Sequence, residues 1–309
     1  MTNQKNNITI FAPATVANVN CGFDTLGFAL EGIGDTMVFT KVPTPGVRIT
    51  QVTGADIPLE TSQNVAGVAA QAMLDGVQAD FGVEIAIHKR IRPGSGIGSS
   101  SASAAGAVFG VNQLLDKPLS LSELTQYAMK GEAIASGQEH ADNVAPCLYG
   151  GITLVTGYDP LHIVALPVPE LYVGILHPHI KIATKDAREI LPKHIPLKDA
   201  IAQTQYLSGF VAALYTQDTQ LLENSIKDVL ITPYRKALIP YYDELENLAK
   251  DQECFAFGIS GSGPSLFSLS RKKEHIDNYL TQSKQLFAQQ GLEVDAYASK
   301  INTSGCTLC

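Results

Sequence analysis

The order of apolar and polar residues along the chain predicts a mixture of strands and helices. Strict alternation, or a short apolar run, indicates strands at residues 8–13, 36–42, 47–52, 83–90, 152–156, 171–176, 255–259 and 294–301. Apolar residues spaced by three and four positions predict helices over about residues 63–79, 102–115, 121–134, 184–191, 197–227, 234–250 and 272–290. Such a mixture, without an internal repeat, is typical of an α+β protein.

Local signals refine the ends of these elements. Thr61 or Ser62 is placed to cap the helix that begins near residue 63. The sequence Ser120-Leu121-Ser122-Glu123 forms a capping box, which sets the start of the next helix but one. Prolines accumulate between residues 157 and 169 and predict a boundary between a first domain, residues 1–160, and a second, residues 161–309.

Composition narrows the class of protein. The 309 residues are 45% hydrophobic and 17% charged, which is enough apolar material for one large or two moderate cores. The formal net charge of −8 argues against nucleic acid as a main partner. The polar start, residues 1–7, lacks the apolar core of a signal peptide, and no apolar run approaches the roughly 18 residues of a membrane span. We therefore expect a cytoplasmic protein that does not bind a membrane.

The five cysteines are scattered and odd in number, which is typical of reduced thiols rather than of a disulfide framework. Cys306 and Cys309 have the spacing of a metal or redox pair, but no second pair accompanies them. The spacing alone therefore assigns them no function.

Candidate chemistry is concentrated in the stretch Arg92-Pro93-Gly94-Ser95-Gly96-Ile97-Gly98-Ser99-Ser100-Ser101-Ala102-Ser103. Its alternating glycines let the backbone take positive φ and point several N–H groups into one concavity. A predicted strand precedes the stretch and a predicted helix follows it, and this combination makes a phosphate cradle. Residues 99–101 stand where a helix N-cap belongs, and a hydroxyl there either caps the helix or binds a phosphate or its Mg²⁺.

This cradle differs from the familiar nucleotide loops. A Walker A loop needs a lysine directly after its glycines, whereas the first lysine here is Lys117. The Gly-x-Gly-x-x-Gly spacing of a dinucleotide loop is also absent. A flexible Gly/Ser loop stays open as the alternative. A second glycine-rich stretch, residues 258–265, lies between two apolar strands and is either part of a site or only a tight hairpin.

Other polar residues gather near the ends of predicted elements. Asn18, Asn20 and Asp24 lie in a segment without a clean period, and they either face a pocket or hydrogen-bond within their own turn. Glu132 comes late in a predicted helix, where the helix dipole disfavours a carboxylate, and Asp142 follows soon after. The two acids are candidates for a Mg²⁺ ligand and a hydroxyl partner, or they belong to a solvated helix end.

Residues 13–30, 93–103 and 258–269 resemble, in order, the three signature motifs of the GHMP kinases. This family includes galactokinase, homoserine kinase, mevalonate kinase and phosphomevalonate kinase. Residues 12–27, 142–151 and 184–188 resemble the homoserine kinase branch closely. Thr15 departs from the lysine that mevalonate-type members usually carry in the first motif, which removes that lysine from any catalytic scheme.

The resemblance implies a two-domain α+β kinase, with an N-terminal mixed-sheet domain that binds ATP and a C-terminal ferredoxin-like domain. It implies transfer of phosphate from ATP, with Mg²⁺, to the side-chain hydroxyl of L-homoserine in threonine biosynthesis. By position, the implied ATP-binding residues are Asn64 near the adenine and, at the phosphates, Pro93, Gly94, Ser95, Gly96, Ile97, Gly98, Ser99, Ser100, Ser101, Ala102 and Ser103. The implied Mg²⁺ ligands are Ser100 and Glu132. The implied homoserine-binding residues are Asn18, Asp24, His140, Asp142, Arg188, Arg235 and Gly261, with Asp142 and Glu132 as the catalytic residues.

The chemistry of a zwitterionic substrate agrees with these roles. A guanidinium binds a carboxylate through two parallel bonds, which suits Arg188 and Arg235, and Asp24 suits the ammonium group. Phosphoryl transfer passes through a loose transition state, so Asp142 is expected either to orient the hydroxyl or to accept its proton. His140 is a weaker candidate base, because a lone histidine near a substrate is as often a binding or packing group.

Two other hypotheses stay open at the level of sequence. One is a GHMP kinase for another small alcohol, although two arginines favour a substrate with a carboxylate. The other is a GHMP-fold protein that binds partners without catalysis. Such a protein is expected to lack loop glycines or the acidic metal ligand, whereas Gly94, Gly96, Gly98 and Glu132 are all present. The oligomeric state is left open, with a homodimer as the candidate.

Overall fold

A computed structural model describes residues 6–182 and 184–309, except for the side chains of Ser136, Thr184 and Lys185. Residues 1–5 of the polar start, and the Thr184 and Lys185 side chains of the motif at 184–188, thus lie outside the described part. None of the helices in the described ranges combines the length and the apolar character that a bilayer crossing requires.

The first of two sheets is mixed. Its strands are β1 (Asn7–Ala17), β2 (Leu26–Val42), β3 (Gly46–Thr53), β4 (Gly82–His88), β5 (Ile152–Tyr158), β6 (Leu161–Leu166) and β11 (Thr307–Leu308). The order is β11-β1-β2-β4-β3, and β5 pairs with β2 and β6. Only the β3–β4 pair of this sheet is parallel among the described pairings.

The second sheet is antiparallel and has the order β10-β7-β9-β8. Its strands are β7 (Tyr172–Pro178), β8 (Ala256–Ile259), β9 (Leu266–Ser270) and β10 (Val294–Lys300). Helices connect β7 to β8 and β9 to β10, whereas β8 and β9 form a hairpin. This β-α-β-β-α-β arrangement is the ferredoxin-like topology, which confirms the predicted fold of the second half.

The helices are α1 (Val65–Gly76), α2 (Ser99–Asn112), α3 (Leu121–Ser136), α4 (Val144–Tyr149), α5 (Thr184–Glu189), α6 (Leu197–Thr216), α7 (Thr219–Ser225), α8 (Thr232–Arg235), α9 (Tyr242–Asp251) and α10 (Lys273–Gln289). The predicted helix at 197–227 is divided into α6 and α7, and the one at 234–250 is divided between α8 and α9. Helix α4 was not predicted, because it contains Pro146. Proline is tolerated there because it occupies the first turn, where backbone N–H groups have no helical partner.

Helix α2 packs tightly on the first sheet and carries the glycine-rich stretch at its start. Most of its residues are buried and small, including Ala102, Ala104 and Ala105. A Cβ at Gly110 would lie 2.3 Å from the ring of Phe39 on β2, so glycine permits the close approach of helix and sheet. This packing fixes the position of the N-terminus of α2.

The predicted cap of α1 is wrong, the capping alternative for residues 99–101 is excluded, and the capping box of α3 is confirmed. Asn64, rather than Thr61 or Ser62, caps α1: its Oδ1 accepts hydrogen bonds from the N–H groups of Ala66 and Gly67 at 3.0 and 3.3 Å. Gly98 precedes α2 without a side-chain cap, so residues 99–101 lie inside the helix. The capping box at the start of α3 is present as predicted.

The strand pairing bears on the division of the chain. β6 pairs with β5 across residue 160, and β11 returns from the end of the chain to β1. The boundary at residue 160 stays a prediction. The pairing favours a division after β6, between Leu166 and Tyr172.

Candidate active site

A cavity of about 340 Å³ lies where the start of α2 and the end of α3 meet the turn after β1, the β8–β9 turn and α5. Every predicted site residue lines it except Ser95, Ile97 and Ala102. These three are buried in the adjacent loop and helix. The lining also contains residues for which no role was predicted: Phe23, Ile57, Gln63, Val65, Ile87, Lys89, Ala135, Asn143 and Ser262.

The glycine loop is shaped by contacts with the β8–β9 turn. Ser260 Oγ donates to the carbonyl of Gly96 at 2.7 Å, and the N–H of Ser265 donates to the carbonyl of Ser95 at 3.1 Å. Gly96 has a φ of 85°, and a Cβ there would lie 2.6 Å from the carbonyl oxygen of Gly263. The second glycine-rich stretch is therefore both a hairpin and the support of the first.

Two hydroxyls at the start of α2 bind one carboxylate from α3. Ser100 Oγ donates to Glu132 Oε1 at 2.9 Å, and Ser101 Oγ donates to Glu132 Oε2 at 3.0 Å. Burial raises the pKa of Glu132 to about 7, although both hydrogen bonds act against the rise. Glu132 is thus not part of a solvated helix end, and it lies directly beside the loop.

The Ser100–Glu132 pair has the donors expected for a Mg²⁺ ion that is shared with substrate phosphates. It does not have the donors of a metal that protein side chains hold alone. Among the described residues there is no group of three or more His, Cys, Asp or Glu side chains that could hold a metal ion. Mg²⁺ usually keeps several waters and binds through one or two carboxylates together with substrate phosphates. One carboxylate and one hydroxyl at a helix N-terminus match that donor set.

Lys89 is a buried cation at the loop that sequence reasoning missed. Its Nζ contacts the carboxylate of Asp35 and donates to the Ser99 carbonyl at 2.8 Å and to Ser103 Oγ at 3.0 Å. Burial lowers the pKa of Lys89, and the charge of Asp35 opposes that change. The lysine therefore ties β2 to the first turn of α2.

The turn between β1 and β2 carries unusual backbone conformations. Asn18, Val19, Asn20 and Asp24 have φ values of 71°, 45°, 55° and 58°, a region that costs a non-glycine residue energy. Asn18 Oδ1 accepts from the N–H of Asp24 at 3.0 Å, and Asn18 Nδ2 donates to the Gly261 carbonyl at 2.8 Å. Asn18 thus fulfils both sequence alternatives, since it closes its own turn and lines the cavity.

Asn20 has a different role from Asn18. Its Nδ2 donates to the carbonyl of Phe257 on β8 at 2.9 Å, and it does not line the cavity. Asn20 therefore joins the turn to the second sheet.

Two arginines reach the cavity from the second half of the chain. Arg188 on α5 forms two parallel bonds with Asp24, at 3.1 and 3.0 Å, and its Nη2 lies 3.3 Å from His140 Nε2. Arg235 on α8 is 3% exposed; its Nε donates to the Ala187 carbonyl at 2.8 Å and its Nη1 to the Gly261 carbonyl at 3.0 Å. Burial, followed by the charge of Arg188, lowers the pKa of Arg235 to about 10.

Asp142 lines the same cavity as the glycine loop and the two arginines. It is 5% exposed, and burial raises its pKa to about 7, with further contributions from the charges of Asp24 and Glu132. The adjacent Asn143 accepts a hydrogen bond from Thr15 Oγ1 at 2.7 Å. Thr15, which stands where mevalonate-type members carry lysine, therefore fixes the segment that contains Asp142.

Histidine and cysteine contribute less to the cavity. Burial lowers the pKa of His140, which favours its neutral form. Cys306 is buried with its Sγ 3.8 Å from Cys147 Sγ, whereas Cys309 is exposed, so Cys306 and Cys309 have different surroundings. All five cysteines are free.

Comparisons with known proteins agree with this geometry. Residues 64–151 match the N-terminal domain of the GHMP kinases, and residues 210–288 match the GHMP kinase C-terminal domain. The chain is 41% identical over 273 residues to a homoserine kinase of Methanococcus vannielii, covering 87% of this chain and 90% of that protein. It is 35% identical over 313 residues to a homoserine kinase of Chlorobium phaeovibrioides, covering 96% and 98%.

A solved structure extends the similarity to three dimensions. The crystal structure of homoserine kinase from Cytophaga hutchinsonii matches with a TM-score of 0.95 at 43% identity, covering 100% of this chain and 99% of that one. The similarity thus extends over both sheets.

Proposed function

The chain belongs to the GHMP kinase family, and we propose that it transfers the γ-phosphate of ATP to the side-chain hydroxyl of L-homoserine. The product is O-phospho-L-homoserine, an intermediate of threonine biosynthesis. The observation that carries the proposal is one cavity that joins a glycine loop to groups of both charges. Arg188 and Arg235 suit a carboxylate, Asp24 suits an ammonium group, and Asp142 is available for a hydroxyl.

ATP is proposed to bind along the glycine loop. The N-terminus of α2 presents unpaired backbone N–H groups and the positive end of the helix dipole, which attract phosphate oxygens. Ile57, Val65 and Ile87 line the same cavity as Asn64 and provide apolar surface that suits an adenine ring. Because the Asn64 side chain already caps α1, its contribution there is to shape the wall.

Ser100 and Glu132 would hold Mg²⁺ when it is bound. The ion would supply positive charge for the phosphate oxygens, as metal ions do in phosphoryl transfer. The chain's own contribution is to keep this carboxylate buried and oriented by two hydroxyl donors, at 2.9 and 3.0 Å.

Homoserine binding is proposed to exchange one ion pair for two. Without substrate, Arg188 and Asp24 bind each other. A zwitterion that enters between them offers its carboxylate to Arg188 and its ammonium group to Asp24, with Arg235 as a second donor. The exchange keeps every charge paired, which limits the free energy lost by removing charges from water.

Asp142 is proposed to act on the hydroxyl of homoserine. Its ionised form accepts a hydrogen bond from the hydroxyl and points the oxygen at the γ-phosphate. With a pKa of about 7, it is also able to take up the hydroxyl proton late in the transfer. Positioning supplies most of the rate enhancement in either case, because the transition state is loose.

The test is an ADP-release assay on the purified chain with L-homoserine, mevalonate and galactose as acceptors. We expect turnover with homoserine and a phosphate ester on its side-chain oxygen, identified by ³¹P NMR. Turnover with mevalonate or galactose alone would favour a GHMP kinase for another alcohol. Absence of turnover with all three would favour a non-catalytic protein. A homodimer and a cytoplasmic location remain predictions of the same proposal.

A further inference from the structure

The ring of Phe23 lies against both arginines of the cavity. The guanidinium carbon of Arg188 is 5.4 Å from the ring centroid, and that of Arg235 is 5.1 Å from it. Phe23 is half-buried, lines the cavity and directly precedes Asp24 in the strained turn after β1. One aromatic ring is thus shared by two cations that come from different helices.

Two guanidinium groups at one site repel each other. The charge of Arg188 is among the causes that lower the pKa of Arg235, which shows that the two groups interact electrostatically. The negative face of an aromatic ring attracts a cation, and the attraction strengthens where water is excluded. The Phe23 ring therefore offsets part of the repulsion that the paired arginines create.

The two arginines differ in how firmly they are fixed. Arg235 is bound to the carbonyls of Ala187 and Gly261, at 2.8 and 3.0 Å. Arg188 is bound mainly to Asp24. When substrate enters, Asp24 is proposed to bind the substrate's ammonium group instead. Once Asp24 has done so, the contacts that remain to the Arg188 side chain among the described residues are the Phe23 ring and His140 Nε2 at 3.3 Å, and the ring is the one that it shares with Arg235.

We propose that Phe23 is a positioning residue for the substrate carboxylate, acting through Arg188 and Arg235. The inference rests on the proposed function and deepens it. The ring holds both guanidinium groups side by side, so that both donate hydrogen bonds to a single carboxylate. An apolar side chain of similar volume fills the space but lacks the negative face, and it does not replace the ring.

The experiment compares Phe23→Leu with Phe23→Tyr, which keeps an aromatic face. Phe81→Leu is the matched control, because Phe81 lies under Lys41 Nζ at 3.9 Å and lines a different depression of the surface. We expect Phe23→Leu to raise KM for homoserine about 10-fold, with KM for ATP unchanged, which corresponds to a cation–π contact of ordinary strength. Phe23→Tyr is expected to stay near wild type, and Phe81→Leu to change neither KM.

A mutant cycle separates positioning from packing. If Phe23 acts through the arginines, Phe23→Leu raises KM for homoserine less in an Arg235→Gln background, which removes the cation, than in the wild type. Equal increases in KM for homoserine and ATP, failure of Phe23→Tyr to retain activity, or full additivity with Arg235→Gln would each overturn the inference. If the wild-type chain did not phosphorylate homoserine, the proposed function itself would fail. Wild-type turnover with an unaffected Phe23→Leu variant would remove only the inference.

Discussion

Arg188 Nη1 and Nη2 lie 3.1 and 3.0 Å from the two carboxylate oxygens of Asp24, a residue 164 positions earlier in the chain. The pair joins α5 to the turn after β1 and connects the two halves of the chain at the cavity. Each member suits one end of a zwitterionic amino acid. The ion pair therefore marks the place where substrate would enter.

Arg188→Lys tests the role of that pair. Lysine keeps the positive charge but cannot form two parallel bonds, so we expect KM for homoserine to rise about 10- to 100-fold. KM for ATP is expected to change little. Steady-state kinetics with each substrate varied in turn measures both values.

Arg48→Lys is the matched control. Arg48 also pairs with a carboxylate, Glu84, at 3.0 Å, but its side chain is 73% exposed and lies outside the cavity. We expect no change in either KM. A similar KM for homoserine in Arg188→Lys and wild type would show that Arg188 does not bind the substrate carboxylate.

The sequence predicted that Asp24 and Arg188 belong to one site, but not that they bind each other. Asp24 and Arg188 belong to motifs that resemble a known family, so their convergence was expected. Lys89 belongs to none of the quoted motifs, and it lies beside Arg90 at the end of a predicted strand, a pattern typical of surface residues. Its burial follows from Asp35 on the neighbouring strand, a pairing that depends on register and that a single sequence does not display.

The errors in the predicted helix caps have a similar origin. Where several polar residues follow one another, each is of a type that can cap a helix. The backbone conformation determines which of their side chains reaches the free N–H groups. At α1 a short 3-10 turn precedes the helix, and Asn64 is the residue whose side chain meets the first free N–H groups. At α2 a left-handed glycine starts the helix, which leaves the hydroxyls of Ser100 and Ser101 for Glu132.

Glu132→Gln tests the proposed Mg²⁺ ligand. Glutamine preserves shape but removes the negative charge, so the Mg²⁺ concentration for half-maximal activity should rise at least 10-fold and kcat should fall. The buried carboxyl group has a raised pKa, so the neutral substitute is not expected to unfold the protein. Activity measured over a Mg²⁺ titration, with thermal unfolding as a check, provides the result.

Glu123→Gln is the control on the same helix. Glu123 is the N3 residue of the capping box at the exposed start of α3, where glutamine also completes the box, so its replacement should change stability little and leave the Mg²⁺ dependence unchanged. Identical Mg²⁺ curves for Glu132→Gln and wild type would exclude Glu132 as a ligand.

Asp142→Asn tests the carboxylate at the hydroxyl. We expect kcat to fall, by about 10²- to 10⁴-fold if Asp142 is the general base and by less if it only orients the hydroxyl. In the wild type, kcat/KM should rise with pH through about 7, because the ionised form of Asp142 is the active one. At saturating Mg²⁺, which would keep Glu132 ionised, the variant should lose that dependence, and an unchanged pH profile would contradict the role.

The same substitution has a predicted effect on stability. The pKa of Asp142 is raised from 3.8 to about 7 by burial, so the folded state holds a proton that the unfolded state has released between these pH values. Wild-type stability is therefore lost as pH rises toward 7, by up to about 4 kcal/mol. Asparagine does not titrate, so Asp142→Asn should gain in melting temperature relative to wild type from pH 5.5 to pH 8. A constant difference would show that the buried carboxyl group is not protonated in the folded state.

The glycine loop gives a matched pair of substitutions. Gly94 and Gly96 both have positive φ, of 74° and 85°, so alanine is strained by about 1–2 kcal/mol at either position. A Cβ at Gly94 would meet nothing within 4 Å, whereas at Gly96 it would lie 2.6 Å from the Gly263 carbonyl oxygen and 2.8 Å from that of Ser260.

Gly96→Ala therefore adds a clash with backbone to the shared strain. It should push the loop away from the β8–β9 turn, break the Ser260–Gly96 hydrogen bond and displace the backbone N–H groups that are proposed to bind phosphate. We expect KM for ATP to rise at least 10-fold more in Gly96→Ala than in Gly94→Ala, with a larger fall in melting temperature. Since both variants carry the same backbone strain, equal effects would mean that contact with the turn does not shape the loop for ATP.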